Sequence, residues 1–146
     1  MKVTVEYIST GDQEIVIKCK QMDSTIQSLL TCIKQADEKI FAVKERETFV
    51  LHSGDIYYAE SVDHKVFLYT KSDVLECQDS LLNLEKSLHY SDIVRIGKSQ
   101  LVNLMHIQKL KSILHSRIEI TLTSGDKLIV SRHYSQAFKN KLGINP

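Results

Sequence analysis

One alternating segment near the end of the chain constrains the fold more than any other feature of the sequence. Apolar and polar residues alternate strictly over Arg117–Thr123, which reads RIEITLT. Ser124-Gly125-Asp126 then has the composition of a tight turn, and Lys127–Ser131 returns as a second apolar segment. A period of two buries one face of a strand and leaves the other face in water. The pattern therefore predicts an antiparallel hairpin whose inner face joins a core.

The same period of two recurs through the middle of the chain, between turns rich in Gly, Ser and Asp. Further strands are predicted at Ile40–Val43, Thr48–Leu51, Ile56–Glu60, Val66–Lys71, Val74–Cys77, Ile93–Ile96, Leu101–Asn103 and Ile107–Leu114. Helical spacing is confined to three short stretches, which begin near Ser24, Asp79 and Tyr134. The expected fold class is mostly β: an antiparallel β fold with short helices and a small N-terminal α/β extension.

The N-terminal extension is assigned to residues 1–39 and the main domain to residues 40–146. Val3, Val5 and Tyr7 alternate with polar residues, as do Ile15 and Ile17, so a first hairpin is expected. A helix should follow from Ser24 to about Ala36, because Ile26, Leu29, Leu30 and Ile33 lie on one face. Ser24 and Gln27 have the spacing of a capping box; Asp79 can cap the second helix, and Gly143 suits the end of the third.

Length and composition are those of a small globular protein. The 146 residues suffice for one domain, and no apolar run approaches the ~18 residues that a membrane span needs. The first residues are not those of a signal or transit peptide, so a cytoplasmic location is expected. Cys19, Cys32 and Cys77 lie far apart, without metal-ligand spacing, and are expected to be reduced thiols.

Charge is distributed unevenly along the chain, although the formal net charge is only +1. Residues 1–88 hold 10 Lys or Arg and 15 Asp or Glu, whereas residues 89–146 hold 9 Lys or Arg and only 3 Asp or Glu. A basic C-terminal third favours a local surface for a polyanion such as nucleic acid. The alternative is that lysines at sheet edges keep strands of different molecules apart.

Signs of catalysis, metal binding or base stacking are weak. His52, Asp55, Asp63 and His64 fall in segments whose composition is ordinary for turns, and no nucleophile, zinc or phosphate-loop motif is present. His106, His115 and His133 lie too far apart to form a metal motif. Tyr57 and Tyr58 could stack on bases, but neighbours in a strand face opposite sides, so at least one should be core. No enzyme activity, cofactor or small-molecule substrate is expected.

A set of cations at strand ends remains. Lys65 follows Asp63-His64, Lys98 lies in a Gly-Lys-Ser bend, and Arg132 follows the strand LIVS. Strands hold the base of a loop rigidly, so such side chains can be aimed at a ligand. Arg and Lys can donate to guanine O6 and N7, while serine hydroxyls and backbone amides can hold phosphates. For each residue alone, a solvated loop cation is the simpler interpretation.

Three ordered segments resemble the LytTR family of DNA-binding domains. Arg95–Ile107 (RIGKSQLVNLMHI) is similar to the family's central motif, in which an Arg-x-His-basic-Ser segment precedes Val-Asn and the next strand. Gly125–Tyr134 resembles the closing hairpin with Ser-Arg-x-Tyr at the start of the last helix. Asp55–Ser61 resembles the early strand, and Leu81–Leu88 resembles the short helix before the motif. The resemblance covers roughly residues 40–146.

The resemblance implies a cytoplasmic bacterial regulator of transcription that reads direct repeats in the major groove of double-stranded DNA, usually as a homodimer. Lys98 and Arg132 match two DNA-reading positions of the family, and the third falls at Lys65 or His64. Ser99 is expected to contact a phosphate, and Asn103 to hold the loop through backbone hydrogen bonds. Arg95 and His133 complete the set of expected DNA-binding residues, which is His64, Lys65, Arg95, Lys98, Ser99, Arg132 and His133.

Two departures from the family shape the expectations. Gly97 replaces the usual histidine, which removes a backbone contact to DNA and loosens the loop. The receiver domain of many members would not fit beside the match, so control is expected from self-association, the extension, or a membrane-protein or other protein regulator. Two rival hypotheses stay open: a protein-interaction module with a weakened DNA face, docked through its acidic N-terminal half, and a small hydrolase using Asp55 and His64.

Overall fold

The computed structural model describes residues 1–36, 39–89 and 91–144. Its helices are α1 (Ser24–Ala36), α2 (Leu81–Ser87) and α3 (Arg132–Leu142), with short 3-10 turns at Ser53–Asp55 and Leu104–His106. Its strands are β1 (Ile40–Lys44), β2 (Glu47–Leu51), β3 (Tyr58–Val62), β4 (Lys65–Tyr69), β5 (Val74–Cys77), β6 (Ile93–Gly97), β7 (Gln100–Asn103), β8 (Ile107–Ile113), β9 (Arg117–Leu122) and β10 (Lys127–Val130).

Two antiparallel sheets organise the molecule. Seven strands form the larger sheet in the order β2-β1-β5-β4-β3-β7-β6, and three form the smaller sheet in the order β10-β9-β8. The strands predicted from Ile40 onward are all present, with ends that shift by no more than two residues. The mostly-β, antiparallel fold class is therefore confirmed.

The larger sheet is covered on both faces at its β7 strand, which explains the apolar run there. Leu101 and Val102 are adjacent and both fully buried because they face opposite sides. Leu101 lies with Leu84 of α2 in one core cluster, which also takes residues from β1, β3, β4, β5 and β6. Val102 lies in a second cluster with Ile120 of β9 and Phe138 of α3. A strand buried on both faces carries no alternation for sequence analysis to detect.

The N-terminal extension differs from its prediction. The helix α1 ends at Ala36 as expected, but the hairpin predicted for residues 3–17 is wrong, because residues 1–23 contain no strand. Val3 and Tyr7 are 85% and 98% exposed. A two-stranded hairpin that nothing covers is marginal in water, which accounts for the difference. Ile26 of α1 is buried but belongs to neither core cluster.

Two helix caps also differ from the expected ones. The Asp23 carboxylate caps α1 by accepting a hydrogen bond from the Ile26 amide at 2.9 Å, in place of the expected Ser24–Gln27 pair. The Ser80 hydroxyl, and not Asp79, caps α2 by accepting from the Asn83 amide at 3.1 Å. Gly143 ends α3 in the left-handed conformation, with φ 79°, as expected. In both helices, the residue that caps is the immediate neighbour of the residue predicted to do so.

Over the described part of the chain, no helix combines the length and apolarity that crossing a membrane requires. All three cysteines are free thiols, and Cys77 is the buried one. Burial raises the pKa of the Cys77 thiol.

Candidate nucleic-acid interface

Two hairpin turns lie side by side at one end of the larger sheet. The β3–β4 turn carries His64 and leads into Lys65, and the β6–β7 turn carries Lys98 and Ser99. They are neighbours because β3 pairs with β7 and the Ser61 amide donates to the Ser99 carbonyl at 2.8 Å. Sheet register therefore brings together residues more than thirty positions apart in the sequence.

The β3–β4 turn is a two-residue hairpin loop in an unusual backbone conformation. Asp63 and His64 have φ values of 51° and 66°, which is the geometry of a type I′ turn. This turn suits the twist of the flanking strands, although its left-handed residues are usually Asn or Gly. Both His64 and Lys65 are exposed at the tip. The turn therefore projects an imidazole and an ammonium group from a rigid base.

A β-bulge near the end of β6 allows a hydrogen bond between β6 and the start of α3. Arg95 pairs with Leu101, but the next pair is Gly97 with Gln100, so Ile96 is left without a partner in the ladder. The buried Ile96 uses its free carbonyl to accept a hydrogen bond from the Ser131 amide at 2.9 Å. This bond fixes the start of α3 against the end of β6, so the exposed Arg132 and His133 flank the Lys98 turn.

Six exposed residues on these three segments form what we call the loop face: His64, Lys65, Lys98, Ser99, Arg132 and His133. Among the described residues, ion pairs join Lys44 to Asp73, Arg95 to Glu85 and Lys127 to Glu119, and none involves a cation of the loop face. Within the described part of the chain, no carboxylate forms an ion pair with these cations. Such a face can attract a polyanion.

Arg95 stands behind the loop face and is largely engaged within the protein. Its Nε donates to Glu85 Oε1 of α2 at 2.8 Å, and its Nη1 donates to the carbonyls of Lys98 at 2.8 Å and Gly97 at 3.3 Å. Only 13% of the side chain is exposed. These bonds hold the backbone of the turn that presents Lys98. Sequence analysis missed Glu85, because its partner lies on a different element and no pattern links the two.

Asn103 makes the backbone hydrogen bonds that were expected, but for a different part of the chain. Its buried side-chain amide donates to the carbonyls of Ile56 at 2.9 Å and Ser53 at 3.2 Å, and its oxygen accepts from the Met105 amide at 3.0 Å. These segments lie at the end of β7 that is opposite the loop face. Asn103 therefore positions the strand as a whole.

At least one of the neighbouring Tyr57 and Tyr58 lies in the core, as predicted. Tyr58 is buried and stacks on Tyr69 at 4.0 Å, whereas Tyr57 stacks on the ring of His106 at 3.8 Å. Burial raises the pKa of Tyr58 far above its ordinary value, and the nearby Asp126 carboxylate raises it further. Both rings thus have protein partners, which disfavours a platform for bases.

The separation of Asp55 and His64 excludes the hydrolase hypothesis. Asp55 precedes β3 and His64 follows it, so the whole strand separates them, which corresponds to about 20 Å. The Asp55 carboxylate instead accepts from the His52 amide at 2.8 Å. Within the residues that the structure describes, no three His, Cys, Asp or Glu side chains form a group that could hold a metal ion.

A comparison with protein families decides the assignment. The family model of the LytTr DNA-binding domain matches residues 46–143, which is most of the chain. The chain belongs to the LytTR family. The resemblance inferred from the sequence is thereby confirmed, and so is the expectation that the chain is not an enzyme, since the LytTR domain is a DNA-binding domain.

The proteins that this chain resembles differ in length. The chain is 30% identical to the sensory transduction protein LytT of Bacillus anthracis over 130 residues, which cover 86% of this chain and 52% of that protein. The chain therefore spans about half the length of that relative. It is 25% identical to an uncharacterized HTH-type transcriptional regulator of Staphylococcus aureus over 142 residues, covering 94% of this chain and 96% of that protein.

The fold agrees with a solved LytTR structure. The LytTr DNA-binding domain of a putative methyl-accepting/DNA response regulator from Bacillus cereus superposes with a TM-score of 0.70 at 21% sequence identity. The match covers 74% of this chain and 99% of that one. It supports the LytTR fold for this chain.

Proposed function

We propose that this LytTR protein is a cytoplasmic transcriptional regulator that binds specific sites in double-stranded DNA through its loop face. The observation that carries the proposal is the pair of backbone bonds that gather the three segments, Ser61 to Ser99 and Ser131 to Ile96. These bonds support the proposal because they join the segments that carry Lys65, Lys98 and Arg132, and no ion pair among the described residues involves these three cations. The regulator name of the Staphylococcus aureus relative supports the same assignment.

The members of the loop face have different proposed roles. Arg132 and Lys98 donate to base edges in the major groove, together with either Lys65 or His64 from the neighbouring turn. The Ser99 hydroxyl and the His133 ring contact phosphates, which sets the position of the protein on the duplex. Arg95 acts through the Lys98 turn, because its guanidinium already donates to the Glu85 carboxylate and two backbone carbonyls of the chain.

Binding as two protomers on direct repeats is part of the proposal. Two copies bound side by side on DNA read a longer sequence than one copy does. We also propose that the unit of residues 40–146 contacts DNA while residues 1–39 serve association, with control by a membrane-protein or other protein regulator. The two core clusters support this division, since neither includes a residue of α1.

Selection from a pool of randomised duplex DNA at near-physiological salt tests the proposal. Wild type should enrich a short repeated site, and Arg132→Ala should bind that site about 1–3 kcal/mol more weakly with one base position relaxed. Lys71→Ala is the matched control, because this exposed cation follows β4 at the end opposite Lys65. A folded wild type that enriches no sequence would refute the proposal and favour the interaction-module hypothesis. An equal loss for both variants would show that Arg132 is not a specific contact.

Gly97 offers a test in which the substitution should strengthen DNA binding instead of weakening it. A Cβ atom at Gly97 would meet nothing within 4 Å, so a β-carbon can be added there without a clash. Gly97→His should therefore add a contact to DNA and tighten binding about two- to twelvefold, as expected of one hydrogen bond worth about 0.5–1.5 kcal/mol. Gly97→Ala supplies the control for the backbone alone. Equal affinities for the two variants would show that position 97 does not reach DNA.

A further inference from the structure

The N-terminal extension exposes an apolar surface that the described residues of the chain leave uncovered. Ile15 and Val16 are 71% and 65% exposed. Residues 15, 17 and 19 face a groove that is completed by Met22 and by Ile26, Leu30 and Ile33 of α1. Alternate residues of the segment thus lie toward the helix, as in a strand with one face on a helix. Residues of even number lie on the other face, where they meet water.

The peptide groups of this segment are available for pairing. Among the described residues, those of 12–20 make no backbone hydrogen bond, and residues 1–23 contain no strand. A segment with strand periodicity and unpaired N–H and C=O groups is a template for another strand. A partner strand can come either from residues 1–8 of the same chain or from a second chain.

Charge disfavours the partner within the chain. A hairpin that puts Val5 opposite Ile15 also puts Glu6 opposite Glu14 and Lys2 opposite Lys18. The register shifted by two residues puts Lys2 opposite Lys20. Like charges directly opposite each other destabilise an antiparallel pair, and this gives a second physical reason for the missing hairpin.

A second copy of the chain has the complementary pattern. The segment reads Asp12-Gln-Glu-Ile-Val-Ile-Lys-Cys-Lys20, acidic at its start and basic at its end. When two copies run antiparallel about a two-fold axis through Val16, Glu14 lies opposite Lys18 and Asp12 lies opposite Lys20. Each pair occurs twice because the axis repeats it. The apolar Ile15 lies opposite Ile17 on the face toward the helices.

We propose that two copies of this chain associate through residues 12–20, paired as antiparallel strands centred on Val16, with both α1 helices covering the apolar face. The contact is isologous, so it closes as a dimer and does not extend into fibres. This deepens the proposed homodimeric regulator by naming the surface that joins its protomers. The surface lies outside the loop face, and the association therefore needs no DNA.

A charge-reversal pair tests the register on the full chain in the absence of DNA. Glu14→Lys places lysine opposite Lys18 at two positions, and Lys18→Glu places glutamate opposite Glu14 at two positions. Analytical ultracentrifugation should show a wild-type dimer and, for each variant alone, a dissociation constant raised about tenfold or more. Glu6→Lys is the control with the same charge change outside the paired segment, and its dimer should be as tight as that of wild type.

Mixing the two weakened variants gives the decisive result. In a heterodimer, the Glu14→Lys chain carries lysine at both positions of the pair and the Lys18→Glu chain carries glutamate at both. Every lysine then faces a glutamate, so the mixture should dimerise about as tightly as wild type. A wild type that is monomeric up to millimolar concentration would overturn the proposal. So would charge variants that dimerise like wild type, or a mixture that stays as weak as its components.

The DNA selection with Arg132→Ala is read separately from the association measurements. A failure of the proposed dimer surface therefore leaves the proposed DNA-binding role standing.

Discussion

The N-terminal extension and the strand β9 have the same alternation of apolar and polar residues, but their apolar side chains differ in burial. Val3 and Tyr7 are 85% and 98% exposed, whereas Ile118 and Ile120 are 4% and 0% exposed. The strand β9 pairs with β8 on one side and β10 on the other, and its inner face packs in the cluster that contains Phe138 of α3. Residues 1–8 of the extension pair with no strand and belong to neither core cluster. Alternation therefore specifies a strand only where other elements pair with it and cover it.

The largest expected difference between the two regions comes from one charge placed in each. Ile120→Asp buries an unpaired carboxylate in the second core cluster, and this should unfold a domain whose total stability is about 5–15 kcal/mol. Val3→Asp puts the same group on an exposed site and should change the free energy of unfolding by no more than about 0.5 kcal/mol. Circular dichroism melts of both variants provide the measurement. A folded Ile120→Asp protein would contradict the assignment of the inner face of β9.

One thiol in the extension and one in the larger sheet allow their accessibility to be compared without changing the sequence. Cys32 is exposed on α1, whereas Cys77 is buried in β5, where burial also raises its pKa. Because the thiolate is the reactive form, Cys77 should react only when the domain opens. Mass spectrometry of a thiol-labelling time course should show Cys77 at least roughly hundredfold slower than Cys32, as for an opening that costs about 3 kcal/mol. Similar rates would mean that the larger sheet opens as readily as the extension.

A pair of glycines provides the smallest effect. Gly11 in the extension and Gly125 in the β9–β10 turn have φ values of 86° and 95°, and an added Cβ meets nothing within 4 Å at either position. Backbone strain is thus the main cost of Gly→Ala at both positions. Gly125→Ala should lower the domain stability by about 1 kcal/mol, which corresponds to about 4–8 °C in Tm. Gly11→Ala should leave the Tm of the domain unchanged. Equal shifts would show that the extension is part of the same cooperative unit.

Most of the fold could be predicted from the sequence because its turns and alternation are local. The β9–β10 hairpin and the C-terminal end of α3 at Gly143 follow from a few neighbouring residues. The hairpin predicted for residues 3–17 could not be tested by local pattern alone, since a strand forms there only if other elements pair with it and cover it. Helix caps at Asp23 and Ser80 were missed because two capping side chains stand next to each other at each helix start.

The candidate site was predictable only in part. The exposed positions of Lys98 and Arg132 follow from their motifs, but their proximity depends on the bulge at Ile96 and on its bond to the Ser131 amide, which joins segments far apart in the sequence. The bonds of Arg95 to Glu85 and to the Lys98 carbonyl arise from the packing of α2 against the sheet, which has no local signal. Sequence analysis therefore supplied the candidate residues, and the structure supplied their grouping.

The central claim is that the three segments of the loop face act as one DNA-binding surface. The most direct measurement is a titration of the ¹⁵N-labelled chain with the duplex recovered by selection, followed by amide chemical shifts. We predict that residues 63–66, 97–100 and 131–134 shift together and saturate at one concentration. Residues 53–57, at the opposite end of β3, should shift little. Shifts concentrated at residues 53–57, with the loop face unchanged, would contradict the account.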